Sequence, residues 1–468
     1  MESQQKSFDL IVIGSGPAGY LPTILASRKG LSVAIIEKAD LGGTCLNRGC
    51  IPSKALLNET FLWDAFSRSG LIKDENERLS YFHKAMERKE IAVSQVVSGL
   101  RNLLNRDRIT VLQGEASFLT PRAVRIKKEG ETDKEVKSNH ILIASGAIPK
   151  GEPLLKIDGR SIVESDDLLK MTDLPTSLAI VGAGRRGVEF ASFFNSFGVE
   201  VTLLEKESRV LPKMDREISI RYKGLLAKKG VKVLTETEAM AASVDRDRVN
   251  LEISQRGKAE RLSVQRVLLV GNRRGNTDGL DLGKISLGLK DGFLEVDRRM
   301  KTTIPGIFAA GDVVGKGFLA HKAFQEGKTA LENILGKDSQ MDYRQIPVCL
   351  YSYPEAASVG LTEEEAKTEE TEVDVGKFPF MACGQSIATG YQEGMVKIIS
   401  EKKYGEILGV HFLGPHATEL IHLGVMAMKH EIGVQDIRQS IFAHPTFSEA
   451  FYEAALDTSG EAIHMMKG

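Results

Sequence analysis

Phe8-Asp9-Leu10-Ile11-Val12-Ile13, followed at once by Gly14-Ser15-Gly16-Pro17-Ala18-Gly19, is the stretch that decides the fold. A β-branched apolar run leads into three glycines spaced G-x-G-x-x-G, and a second apolar run over residues 31–36 ends on Glu37. The pattern returns in mid-chain as Leu178-Ala179-Ile180-Val181, Gly182-Ala183-Gly184-Arg185-Arg186-Gly187 and an apolar run over 199–204 closed by Glu205. In both copies 23 residues separate the first glycine from the closing glutamate. A single G-x-G-x-x-G is weak evidence, whereas two copies at equal spacing read as two dinucleotide-binding strand–turn–helix units. The first glycine permits the tight turn, the second lets a pyrophosphate approach the backbone, and the third lets helix and strand pack closely. The helix N-terminus then offers free N–H groups and the positive end of its dipole to the phosphates. The closing carboxylate accepts hydrogen bonds from a ribose. Glycine-rich turns with no ligand would have to arrive at this spacing twice.

Outward from the repeats, His140-Ile141-Leu142-Ile143-Ala144-Ser145-Gly146 and Val267-Leu268-Leu269-Val270-Gly271 read as strands ending in glycine, and Gly306-Ile307-Phe308-Ala309-Ala310-Gly311-Asp312 as a strand ending at an acid. Residues 79–106 read as a long amphipathic helix, and the acidic run Glu363–Glu365 as a solvated helix start. From about Pro347 the pattern changes to short strands followed by helices, an α+β region with no nucleotide fingerprint. At roughly 150 residues per domain, 468 residues suggest about three domains. The 42% hydrophobic and 27% charged residues exclude bulk disorder, collagen and coiled coil. Lys plus Arg number 62 against 63 Asp plus Glu, which argues against a nucleic-acid binder. Four cysteines are too few for a disulfide framework. A polar start over Met1–Asp9 and the lack of a long apolar stretch lead to the expectation of a soluble, cytoplasmic protein with no membrane anchor.

Leu41-Gly42-Gly43-Thr44-Cys45-Leu46-Asn47-Arg48-Gly49-Cys50-Ile51-Pro52-Ser53-Lys54 is the most informative segment for chemistry. Five helical steps of about 1.5 Å would set the two cysteine Cα atoms roughly 7.5 Å apart along an axis, just beyond disulfide range. A bridge therefore requires a distorted turn, which Asn47 and Gly49 permit. A strained bridge near a helix start is reducible, and a thiolate there has a lowered pKa. A metal site is the weaker reading, because the nearest histidine, His83, belongs to no ligand pattern.

This segment resembles the active-site helix of the flavin-dependent pyridine nucleotide–disulfide oxidoreductases of class I, and Ile51-Pro52-Ser53-Lys54 is most similar to the branch that oxidises dihydrolipoamide. The likeness spans nearly the whole chain. It implies FAD on the first fingerprint (Gly14, Gly16, Gly19, Glu37) and NAD on the second (Gly182, Gly184, Gly187, Glu205, with Gly271). It implies a redox-active Cys45–Cys50 disulfide, with Cys45 exchanging with substrate and Cys50 over the flavin, and Lys54 near the flavin paired with Glu189. Gly43, Thr44, Gly114, Ser145, Gly146, Asp312 and Ala320 match stretches that border the FAD. The implied fold is α/β, with two Rossmann-like dinucleotide-binding domains and a C-terminal α+β dimerisation domain. Its boundaries are 1–150 and 276–346 for the FAD domain, 151–275 for the NAD domain and 347–468 for dimerisation.

Ala443-His444-Pro445-Thr446-Phe447-Ser448-Glu449 resembles the family's catalytic base and its acid partner. Thr446-x-x-Glu449 is also a capping box, so Glu449 could serve only as a cap. In this family the base comes from the second subunit, which implies a homodimer. Glu205 favours NAD over NADP because a carboxylate repels a 2′-phosphate, although Lys206 and Arg209 follow it. Arg185-Arg186 stand where the family commonly has an aromatic–aliphatic pair, Arg48 replaces a usually apolar residue, and Pro22 lies inside the first fingerprint helix. The chain ends Met465-Met466-Lys467-Gly468 with no second dithiol, which disfavours mercuric reductase and large thioredoxin reductases. It does not begin with a lipoyl domain, so the expected partner is a lipoyl-bearing acyltransferase or carrier protein of a 2-oxoacid dehydrogenase or glycine cleavage complex. The alternative is an NAD(P)H-dependent reductase of another small disulfide such as glutathione.

Overall fold

Both fingerprints follow a strand at the centre of a parallel sheet. The computed structural model describes residues 6–69, 75–151, 155–368 and 372–465, so the first five residues and the tail beyond Met465 lie outside it. Lys6–Ile13 pairs in parallel with Val33–Glu37 on one side and Lys134–Ile143 on the other. Thr110–Gln113 extends one edge, Ala123–Lys127 and Glu115–Thr120 extend the other antiparallel, and Ile307–Ala309 also pairs with Lys134–Ile143. The second sheet repeats the parallel order as Lys232–Thr235, Glu200–Glu205, Ser177–Val181, Arg266–Leu269 and Ile162–Val163. Each fingerprint strand thus lies between the strand that follows it and a later parallel strand, the switch point at which open α/β sheets bind ligands beyond their carboxyl ends. Val33–Glu37 is buried at all five positions, as a parallel strand covered on both faces must be.

The chain divides into two compact units. The first comprises residues 1–56, 84–152 and 271–342 and holds the first sheet. The second comprises residues 57–83, 153–270 and 343–468. It holds the second sheet, a three-stranded antiparallel layer over 237–264, and a C-terminal antiparallel sheet. That last sheet runs Val348–Leu350, Glu355–Gly360, Ile407–Gly414, Met395–Glu401, Val373–Pro379, and a core that includes Val359, Val396, Phe412, Ile421 and Phe451 joins it to the helices Ala417–Lys429 and Glu449–Asp457. Two parallel dinucleotide folds and an α+β region are the architecture expected. The helix expected over 79–106 runs Glu75–Arg106. Among the described residues no helix is long and apolar enough to cross a membrane.

Pro22 is accommodated without ending its helix, Pro17–Arg28. Proline has no N–H, so the Ala18 carbonyl four residues earlier loses its helical donor, a defect that costs about 3 kcal/mol in an ordinary helix. Gly327, on the helix Ala320–Ile334, lies against that spot. A β-carbon at 327 would fall 2.6 Å from the Ala18 oxygen and 3.1 Å from Pro22 Cγ. The two helices meet where one lacks a hydrogen bond and the other lacks a side chain.

Gly327→Ala should therefore lower the thermal midpoint, by overpacking that typically costs about 1–3 kcal/mol. Gly99→Ala, on the exposed face of Glu75–Arg106 with nothing within 4 Å of its β-carbon, should leave the midpoint unchanged or raise it. Thermal unfolding of the two variants side by side checks the contrast.

Candidate active site

The two fingerprint loops are built alike. Gly14 has φ +101° and Gly182 φ +108°, in the region that glycine alone adopts readily. Gly14 N–H donates to Ile36 O at 2.8 Å and Gly182 N–H to Leu204 O at 2.8 Å, which ties each turn to the neighbouring strand. A β-carbon on Gly19 would lie 1.9 Å from Gly14 O, and one on Gly187 the same 1.9 Å from Gly182 O. The middle glycines differ: nothing stands within 4 Å of a β-carbon on Gly16 or Gly184. Those two positions leave the backbone open where a pyrophosphate would approach.

The closing acids brace these loops. Glu37 accepts Ser15 N–H at 2.9 Å, Ser15 Oγ–H at 2.6 Å and Ala39 N–H at 2.9 Å. Glu205 accepts Ala183 N–H at 2.7 Å and Glu207 N–H at 3.0 Å. Arg209, four residues on, is bound by Glu364 at 2.7 Å. Arg185 opens the second fingerprint helix and donates from Nη1 to Cys349 O at 3.3 Å. Glu189, buried one turn further along, accepts Tyr351 N–H at 3.1 Å.

Around the first fingerprint, Gly43 lies where a β-carbon would come 2.9 Å from Gly16 Cα, so the segment bearing Thr44 and Cys45 presses on the glycine turn. Gly114 has φ +145° and donates to Glu37 O at 2.9 Å. Gly146 has φ +78° and open space at its β position. Ser145 Oγ is buried with no partner among the described residues. Asp312 stands in the short turn Gly311–Val314, and Ala320 starts the helix that follows.

The cysteines occupy a break between two helices. Gly43–Arg48 ends at Gly49, whose φ −140° and ψ −109° are not helical, and Cys50 begins the helix Cys50–Arg68. This is the distortion that their spacing demands. Arg48 closes the short helix, where a cation suits the dipole. Both residues are thiols in this structure and hydrogen-bond each other. The Cys45 S–H donates to Cys50, and that bond, with Lys54 one turn on, pulls Cys50 down to about 7 against the opposing effect of burial. Cys45 is pushed the other way because it supplies the shared proton, and burial adds to the effect.

His444 and Glu449 also meet. His444 Nδ1 lies 2.8 Å from Glu449 Oε1, while Glu449 Oε2 accepts Thr446 N–H at 2.8 Å. The carboxylate therefore orients the ring and braces the loop at once. The capping box is incomplete, because Ser448 precedes the helix Glu449–Asp457 and Thr446 Oγ1 turns to Ala443 O at 2.8 Å.

Three neighbours of the first fingerprint were not singled out in the sequence. Tyr20, directly after Gly19, is pushed up to about 12 by burial and then by charge on Cys45 and Cys50, and its ring meets Phe324 edge-on at 5.6 Å. Lys322 and Glu326 form a buried pair at 3.2 Å, and Glu326 accepts Gly311 N–H at 2.8 Å, which holds the turn before Asp312. The Lys-x-x-x-Glu spacing on a largely apolar helix face was the available signal.

The description "pyridine nucleotide-disulphide oxidoreductase" matches residues 8–327, more than half of the chain. The chain belongs to that family. The family's dimerisation domain matches residues 346–455. A dihydrolipoyl dehydrogenase of Bacillus subtilis is 36% identical over 98% of this chain and 99% of its own length. The mitochondrial dihydrolipoyl dehydrogenase 2 of Arabidopsis thaliana is 38% identical over 98% and 91%. Among solved structures, the Cu(II) complex of the HOCl-induced flavoprotein disulfide reductase RclA from Escherichia coli aligns with TM-score 0.87 and 28% identity, covering 96% of this chain and 99% of that one. The family's cofactors are FAD and NAD(H). The open second glycines and the partnerless Ser145 hydroxyl suit a bound dinucleotide.

In the reduced protein, thiolate absorbance should rise with pH through a midpoint near 7, the Cys50 value. Below that midpoint Cys50 is protonated. Lys54→Met should move the midpoint upward and Cys50→Ser should remove it, in a spectroscopic titration of the three proteins.

Proposed function

We propose that this chain is an FAD-dependent enzyme that oxidises protein-bound dihydrolipoamide to lipoamide and reduces NAD+, working through a Cys45–Cys50 disulfide. The observation that carries the reading is the placing of two unbridged cysteines on either side of the helix break at Gly49, with Lys54 one turn into the second helix. Identity of 36–38% to dihydrolipoyl dehydrogenases over nearly the full length supports it. A dihydrolipoyl thiolate attacks Cys45, and Cys50 leaves as the better-stabilised thiolate. The second lipoyl thiol gives its proton to His444 and closes the lipoyl disulfide, which frees Cys45. Glu449 holds the imidazole in one orientation and stabilises its charged form. Bound FAD would supply the two-electron acceptor that links the Cys45–Cys50 dithiol to NAD+.

The first fingerprint, with Glu37, Gly114, Ser145, Gly146 and Asp312, would hold the FAD, and the second, with Glu205, the NAD. Support for NAD over NADP comes from Glu205, and from Glu364, which already engages the arginine that left room for doubt. We assign residues 1–150 and 276–346 to the FAD domain, 151–275 to the NAD domain and 347–468 to dimerisation. In the homodimer, His444 of one copy serves the cysteines of the other. A cytoplasmic enzyme that takes its lipoyl group from an acyltransferase or carrier protein fits this reading.

Purified protein should be yellow and should form NADH from dihydrolipoamide. Cys45→Ser should keep the colour and lose turnover, and His444→Gln should lower kcat by about 10²–10⁴-fold, the usual worth of a general base. Turnover of glutathione disulfide with NAD(P)H but none of dihydrolipoamide would select the alternative.

A further inference from the structure

The acidic run Glu363–Glu365 is the helix start expected, with Glu364 and Glu365 exposed, but Glu363 is partly buried against Lys397. The run opens the helix Glu363–Thr368, and it reaches the stretch after the second fingerprint twice, through the Glu364 carboxylate to Arg209 and through the Glu363 N–H to Asp215. Lys397, on the strand Met395–Glu401, has a side chain only 2% exposed. Its Nζ lies 2.6 Å from Glu363 Oε2, 3.0 and 2.9 Å from the two Asp215 oxygens, and 3.9 Å from Glu217 Oε2. Glu363 N–H donates to Asp215 at 3.2 Å, and Glu364 binds Arg209 at 2.7 Å. A buried cation held by carboxylates from distant parts of the chain fixes those parts to one another, because separating them strands a charge in the interior.

Arg209 and Asp215 belong to the loop between Glu205 and the helix Arg216–Lys228. Between them Leu211, fully buried, has φ +48°, a conformation that residues with a β-carbon rarely adopt. Leu211 N–H donates to Ala183 O at 2.8 Å, and Ala183 N–H in turn donates to Glu205 at 2.7 Å. Ala183 lies between the first two glycines of the fingerprint. A connected path thus leads from Lys397 through Asp215 and Leu211 to the glycine turn.

We propose that Lys397 and Glu364 are positioning residues for the second dinucleotide site: they clamp the loop over 206–215 at its two ends and so hold the Ala183 backbone and Glu205 in their binding arrangement. The proposal rests on reading that fingerprint as the NAD site. It makes the C-terminal sheet a determinant of NAD binding as well as a dimerisation surface.

The test separates the two half-reactions in the flavin-loaded, full-length enzyme under anaerobic stopped flow. Lys397→Met should leave flavin reduction by dihydrolipoamide unchanged and raise the NAD+ concentration for half-maximal reoxidation by about 2- to 30-fold, the range for residues along a coupling network. Glu364→Gln, which breaks a partly exposed pair, should raise it by about two- to fivefold. An unchanged NAD+ dependence in both variants overturns the proposal, as does an equal loss in both half-reactions, which marks a merely structural role. If Lys397→Met gives no folded yellow protein, Glu364→Gln decides alone, and an unchanged NAD+ dependence there overturns the clamp. Wild-type enzyme that is reduced by dihydrolipoamide but never reoxidised by NAD+ refutes instead the functional reading on which the proposal stands.

Discussion

In each fingerprint the carbonyl oxygen of the first glycine leaves no room for a β-carbon on the third. A β-carbon there would fall 1.9 Å from that oxygen at both Gly19 and Gly187, so only glycine lets each helix pack against the end of its strand. Everything that acts on a dinucleotide is referred to that contact. The bracing acids, Glu37 and Glu205, close loops whose paths it has already set, and Gly43 brings the cysteine segment against the first of them. Two turns built this way would be pre-formed before any ligand arrives, so little of the binding free energy would be lost to ordering them.

The cysteine pair depends on a second local constraint, the failure of helical geometry at Gly49. A continuous helix would hold the sulfurs too far apart to share a proton or a bond. The break lets them meet, and placing Cys50 at the start of a long helix with Lys54 one turn on makes them unequal. In thiol–disulfide exchange the sulfur that is the more stable anion leaves faster, and a helix start with a lysine one turn on favours Cys50 in that part.

Much of this was legible in the sequence because glycines and cysteines report backbone geometry directly. The equal spacing of 23 residues announced two like units, and the structure shows them alike down to their hydrogen bonds. The dual use of Glu449 was only half legible, since the capping and catalytic readings predicted the same residue and only its two separate oxygens show that it does both. The partners of Glu363 and Glu364 were not legible, because a charge run does not announce contacts so far off in sequence: Asp215 lies 148 positions from Glu363 and 182 from Lys397. Tyr20 and the Lys322–Glu326 pair escaped for the same reason: their meaning lies in what the fold brings beside them.

Pro22 and Gly327 show what such closeness means over generations. Each looks costly on its own, a proline inside one helix and a glycine inside another. Placed together they fit, because the missing side chain at 327 leaves room for the Ala18 carbonyl and the Pro22 ring. Replacing the glycine first invites a clash, and replacing the proline first discards the reason for the gap, so drift at either position is conditional on its neighbour.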